Sequence, residues 1–431
     1  MLDGIGYAPV NESTWPEWFF YLRSLDGLRM SDYDGWETFE EFGAALDGKN
    51  MQNSAAFLPY ANVRSMVAGF GPGTLDDFQR QVVTENIRHG IEQGALGLST
   101  GLDYIVQCFS DTDELSAVCR ALADRDALYV THIRYKLGMV DGLREAAEIC
   151  RRAGIRLHIS HLKSPHPDQT DIILNLIDEL GKDVDLSFDT YPYQPGSTML
   201  SYLLPYDVWT DGPLAAIEKL RRPEIRQRFK LSLERYRLPL DRLRIAWTLS
   251  SDGSAFQGMR ASEYIELSGK SAADALCDLL IEERLAVLLV IDEGDDKSTH
   301  PFLQHDKFMI GSDGIYFDDS LAHPRQFGSA ARILGRAVRD WKLFPLEDAV
   351  RKLSTYPAER FGLVDRGVIR VGAFADLALF DPDEIGDPAT YDEPQQLATG
   401  VRNVFVNGQL VWPEQDADIR GEELPGRFLK R

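Results

Sequence analysis

At 431 residues, 44% of them apolar, the chain is long enough to bury a large core and to form more than one domain. Asp and Glu outnumber Lys and Arg by 68 to 46, giving a net charge of -22. That balance excludes a general nucleic-acid binder, which needs a basic face for the phosphates. Cys108, Cys119, Cys150 and Cys277 are widely spaced with no C-x-x-C pair, which fits a reducing compartment, and Cys119 and Cys150, in helix-like runs, are expected to be small core residues. No apolar run approaches the roughly 20 residues that cross a bilayer. The start, MLDGIGYAPVNEST, lacks the basic region and apolar core of a secretory signal. The expectation is a cytoplasmic protein that engages neither nucleic acid nor membrane.

Residues 1–9 read as the end of a strand followed by a turn. A Trp-rich amphipathic helix is predicted over Trp15–Asp26, a second short helix over Trp36–Leu46, and a strand over Val63–Val67. Gly71, Pro72 and Gly73 turn the chain, and Thr74 is the predicted cap of a helix ending at Gly94. Strands and helices then alternate. The strands are GALGLS (94–99), ALYVTHI (127–133), IRLHISH (155–161) and VDLSFD (184–189); the helices are Ser110–Asp124, Gly138–Ala153 and Gln169–Leu180. This rhythm is that of βαβ units around a parallel sheet. It breaks after Leu203, and residues 204–300 read as a large insertion before KFMIGSDG (307–314) resumes the pattern. Helices are predicted over Arg325–Lys342 and Pro345–Ser354. From about residue 356 to 431 the chain reads as a small β domain, with a hairpin turning at Asn407-Gly408.

The body, residues 1–355, is therefore expected to be a (β/α)8 barrel. Its strand candidates end near Asp3, Ala68, Leu98, His132, His161, Asp189 and Asp313, one short of eight, and the missing first strand would precede Met1. Barrel active sites lie at the C-terminal strand ends, where His132, His161 and Asp313 fall. Imidazole and carboxylate are zinc ligands, a zinc-activated water attacks carbonyls near neutral pH, and Asp313 is placed both to bind the metal and to take the proton. His158, three residues before His161, points to the opposite face by strand alternation.

The motifs GALGLSTGLDY, THIR, ISHLK, DTYPYQPGST, GSDG and HPRQFG, in this order, resemble those of the N-acyl-D-amino-acid deacylases (D-aminoacylases) of the amidohydrolase superfamily, and the tail PAERFGLVDRGVIRVGAFADLALFD fits as well. The resemblance implies a Zn2+ held by His132 and His161, Asp313 as catalytic aspartate, and Lys163, Tyr104, Tyr191, Tyr193 and Arg325 around a small-molecule N-acyl amino acid. Lys163 and Arg325 suit its free carboxylate. His323 is a candidate behind this shell.

Four departures stand out. There is no His-x-His at a strand end, and the N-terminal strands that complete the family's small β domain are not in the sequence, so a chain truncated at its start is expected. Asp3 stands where many members have a cysteine ligand; a carboxylate can replace it, and a plain turn role is the alternative. Phe70 replaces a frequent histidine, and Lys136 a frequent acid. These changes leave open another carboxylate-bearing C–N substrate, such as a cyclic amide or dipeptide, or a non-catalytic remnant.

Overall fold

The computed structural model describes residues 3–25, 28–164, 166–236, 239–291, 294–413 and 423–431. Five short strands come first: β1 (Leu58–Pro59), β2 (Gly97–Gly101), β3 (Leu128–His132), β4 (Arg156–Ile159) and β5 (Leu186–Thr190). Each pairs in parallel with the next. A second sheet then intervenes, in which β6 (Gly196–Met199), β7 (Leu243–Thr248) and β8 (Val287–Ile291) pair antiparallel in the order β6-β8-β7. The parallel sheet resumes with β9 (Phe308–Ile310), which pairs with β5. Among the described residues, six parallel strands with helices between them make an incomplete (β/α)8-type barrel. The tail is a separate antiparallel sheet of β10 (Leu377–Phe380), β11 (Val401–Val406) and β12 (Gln409–Trp412).

Period-two alternation sorts the barrel strands into two faces. Leu98, Tyr129, Leu157, Ile159, Leu186 and Phe188 point outward and share one core with Val83, Ile87, Leu143, Ala147 and Ile177 of the covering helices. Leu128 and Val130 point inward and pack with Phe57, Leu96 and, partly buried, Phe361. Each apolar side chain fully buried in this way contributes about 1.5–3 kcal/mol. The strands thus hold rigid ends toward one rim, which is what a site needs.

One predicted N-terminal strand is corrected. Val63–Val67 lies within a helix, Tyr60–Ala68. Tyr60, Val63 and Val67 recur at helical spacing and face the barrel core, so the stretch satisfies period 3.6, and the strand in this region is the two residues just before it. At the start, residues 3 and 4 form a turn; Met1 and Leu2, which would carry the strand expected to end near Asp3, lie outside the described residues. The long helix runs Asp77–Glu92 and is capped by Asp76, not Thr74, because the Asp76 carboxylate accepts from the Gln79 N–H while the Gln79 side chain reaches back.

The aromatic helix is Trp15–Leu22; Asp26, its predicted end, lies outside the described residues. It buries Trp18 and Phe19 in a second core built with Leu200, Val208, Phe229 and Leu276 of the inserted region. The insertion's sheet begins at Gly196, before the expected boundary, since Gly196–Met199 pairs with Leu288–Ile291. The tail hairpin turns at Asn407-Gly408 as expected, with positive φ at both residues. Ile369, Val371 and Leu379 of the tail stand exposed. Among the described residues no helix is long and apolar enough to cross a membrane.

One buried ion pair ties the first helices together. Glu114, fully buried, accepts from Arg64 Nε at 2.8 Å, Tyr60 Oη at 2.6 Å and the Leu75 N–H at 2.7 Å. Glu114→Ala would leave the Arg64 charge without its partner. The expected cost is about 3–5 kcal/mol, read as a lowered denaturant midpoint with an unchanged slope.

Candidate metal and active site

His132 ends β3, and His161 follows β4 by two residues. Asp3 reaches them from the turn at the chain start. His132 Nδ1 lies 3.0 Å from His161 Nε2, and Asp3 Oδ2 lies 3.6 and 3.5 Å from those two nitrogens. These three side chains form the one metal-type cluster among the described residues. Zinc bonds of about 2.0–2.1 Å set tetrahedral ligand atoms about 3.3 Å apart, so the triangle has the right size for one divalent ion. The buried Asp3 Oδ1 has no hydrogen-bond partner. Both observations fit a bound cation.

The backbone is shaped for this meeting. Asp3, His161 and Asp313 all have positive φ, at 58°, 39° and 48°. Such conformations cost a non-glycine residue about 1–3 kcal/mol and gather at functional sites. Asp3 is anchored by the buried Gln107, whose Nε2 donates to the Asp3 carbonyl at 3.1 Å and whose Oε1 accepts from the Gly101 N–H at 2.7 Å. Gly101 is required there, because a Cβ would stand 2.2 Å from the Asp3 carbonyl oxygen.

Charges in the cluster reinforce one another. Burial works against the His132 imidazolium, but Asp103 and Asp3 outweigh it and lift the pKa to about 9. Burial also raises the Asp3 carboxyl, yet His161 and His132 hold it well below the usual carboxylate range. Around the cluster stand groups the sequence did not single out. Tyr135 Oη lies 3.4 Å from His161 Nδ1. Asp189 Oδ1 accepts from the His161 N–H at 2.8 Å, while its Oδ2 meets His158 Nε2 at 2.8 Å. His158 therefore stays out of the cluster but braces it through Asp189. The buried Asp103 faces His132 Nε2 at 3.5 Å.

A cavity of about 840 Å³ opens over the cluster. Asp3, Tyr104, His132, His161, Lys163, Tyr191 and Asp313 all line it, so the structure brings together most of the expected site. Three placements differ from expectation. Asp313 lies outside the metal cluster, and its carboxylate pairs with Arg325 Nη1 at 2.7 Å. Arg325 is 1% exposed and sits behind the wall, with its guanidinium over the Tyr191 ring at 4.5 Å. Tyr193 turns away: its hydroxyl donates to buried Asp387 at 3.1 Å and its ring packs under Arg332, so it serves the joint with the tail. Tyr191 is the member of the YPY pair that faces the cavity; the two are two residues apart and would share a face in a regular strand, but the chain has left β5 at Thr190 and its turn separates them.

Lys163 Nζ donates to Tyr191 Oη at 2.8 Å and to the carbonyls of Gln194 and Pro195 at 2.9 and 3.1 Å. Burial, together with the nearby Arg325 charge, pushes its pKa well below the ordinary lysine value. His323 is buried behind this group; its Nδ1 accepts from the Arg325 N–H at 3.0 Å, which seats the arginine. Sequence signals for the missed groups were slight: Asp103 lies within the motif GALGLSTGLDY and Tyr135 next to THIR, but their side-chain direction depends on turns that no periodicity describes.

A model of the amidohydrolase family matches residues 305–412. The D-aminoacylase of Alcaligenes xylosoxydans xylosoxydans is 32% identical over 443 residues, covering 99% of this chain and 79% of that protein. The N-acyl-D-glutamate deacylase of the same organism is 31% identical, covering 90% of this chain and 72% of the relative. Among solved structures, N-acyl-D-glutamate deacylase from Bordetella bronchiseptica, complexed with zinc and a phosphonate inhibitor, superposes with a TM-score of 0.81 at 27% identity, over 100% of this chain and 81% of that one. With a ligand triangle at the strand ends of a barrel and this likeness over nearly its whole length, the chain belongs to the N-acyl-D-amino-acid deacylase family of metal-dependent amidohydrolases, which act on C–N bonds.

Proposed function

We propose that this protein hydrolyses the amide of N-acyl-D-amino acids to a carboxylate and a free D-amino acid, with one zinc ion held by Asp3, His132 and His161. The observation that carries the reading is the convergence of His132 Nδ1, His161 Nε2 and Asp3 Oδ2 in the same cavity as the Asp313 carboxylate. Zinc bound there would polarise the scissile carbonyl and lower the pKa of the attacking water.

The chain's own groups do the rest. Asp313 takes the water's proton and returns it to the leaving amine. Arg325 holds that carboxylate in one orientation from behind. Tyr191 and Lys163, joined by a hydrogen bond with the Arg325 guanidinium over the Tyr191 ring, form the polar corner that receives the substrate's α-carboxylate. The aliphatic and aromatic wall of Ile5, Leu22, Leu25, Tyr104 and Met139 excludes water from one side of the cavity.

The reading is tested by acetate release from N-acetyl-D-amino acids by zinc-loaded protein, with the L forms and hydantoins as competitors. The expected result is turnover of D forms that a chelator abolishes and zinc restores. Faster turnover of hydantoins than of any N-acetyl-D-amino acid would place the chemistry on a cyclic amide and overturn it.

A further inference from the structure

Asp103 lies one residue before Tyr104, just beyond the end of β2, and its side chain is completely buried. A carboxylate offers about four lone-pair directions. Here three donors use them: Tyr202 Oη on Oδ2 at 3.0 Å, Tyr206 Oη on Oδ1 at 3.0 Å, and the Lys136 N–H on both oxygens at 3.1 and 3.3 Å. His132 Nε2 approaches the same carboxylate as well, 3.5 Å from Oδ2. That nitrogen is buried and has no hydrogen-bond partner. The opposite nitrogen of the same ring, Nδ1, is the one aimed at His161 and Asp3.

Two of the three donors come from the segment that follows β6 and enters the inserted region. Lys136, two residues after Arg134 of the THIR motif, reinforces the joint: its Nζ donates to the Tyr202 carbonyl at 2.9 Å and lies 4.4 and 4.6 Å from the Tyr202 and Tyr206 ring centres. The acid and the cation are thus locked to the same two tyrosines on the far side of His132 from the cluster. A buried carboxylate held by three donors and turned to an imidazole N–H fixes the ring's tautomer as well as its direction.

We infer that Asp103 is a positioning residue for the metal centre: it receives the Nε2–H of His132, so that the Nδ1 lone pair is presented to the ion, and Tyr202 and Tyr206 hold it there from the inserted region. The inference rests on the reading that Asp3, His132 and His161 bind a metal. It assigns Asp103 no contact with substrate.

Zinc affinity of Asp103→Asn, measured by competition with a chromophoric chelator, tests it alongside the thermal midpoint of the metal-free protein. The asparagine keeps the shape but presents no charge to His132; its one oxygen accepts from one tyrosine, and its NH2 donates to the hydroxyl oxygen of the other. The expected result is a zinc affinity lower by about 10–100-fold, the usual cost of removing a partner behind a metal-binding histidine, with the metal-free midpoint close to that of the parent. Parent-like affinity in Asp103→Asn overturns the inference while leaving the metal reading intact; a parent protein that binds no zinc overturns both. If Asp103→Asn does not fold, nitrogen-15 NMR of the zinc-loaded parent decides. His132 with a proton on Nε2 and metal on Nδ1 supports the inference, and the reverse tautomer overturns it.

Discussion

His161→Ala protein is expected to lose its stoichiometric zinc and, at saturating substrate, to turn over N-acetyl-D-amino acids roughly 10³-fold more slowly than the parent. The estimate follows from the several kcal/mol that a bound metal gives to transition-state charge, with each 1.36 kcal/mol worth about tenfold in rate. His161 supplies one of only three ligand atoms in the cluster, and its neighbours cannot take its place. Tyr135 faces the other ring nitrogen, and Asp189 is occupied by the His161 N–H and by His158. Metal content after dialysis, measured together with acetate release, checks both halves. Full activity without zinc in the variant would sink the assignment of this cluster as the catalytic metal site.

Asp313→Asn is expected to separate the proton carrier from the metal. Its carboxylate lies outside the cluster and pairs with Arg325 instead, so zinc affinity should stay within about threefold of the parent. Activity should fall by about 10²–10⁴-fold, the range for loss of a positioned general acid–base group. The amide keeps the volume, so the buried Arg325 does not face a cavity. A variant that loses zinc and activity together would make Asp313 a ligand, the role the sequence also suggested for it.

Much of the site could be read from motif order. The strand-end histidines in THIR and ISHLK, the aspartate of GSDG and the tyrosine of DTYPY all reach one cavity, because short parallel strands of a barrel deliver their C-terminal ends to a common rim. What failed to show was the direction of side chains that leave a strand and enter a turn. Tyr191 and Tyr193 are equivalent in sequence, yet one lines the cavity and the other bonds Asp387 nearly two hundred residues away. Val63, Ser65 and Val67 alternate as a strand would, whereas the burial on both sides of the helix Tyr60–Ala68 is a property of its neighbours.

Local chemistry, then, specified the alternation of strands and helices, the Asn407-Gly408 hairpin, the two histidines and the acid that share their cavity. Each depends on periodicity, turn residues or donor type, and these are properties of neighbours in the chain. Long-range packing set the remainder. Asp3 became a member of the cluster only where Gln107 and Gly101 seat its turn. Asp313 was drawn to Arg325, and Asp103 was turned to His132 by tyrosines about a hundred residues downstream. A buried charge settles where its partners converge, and those partners come from segments that no local pattern brings together.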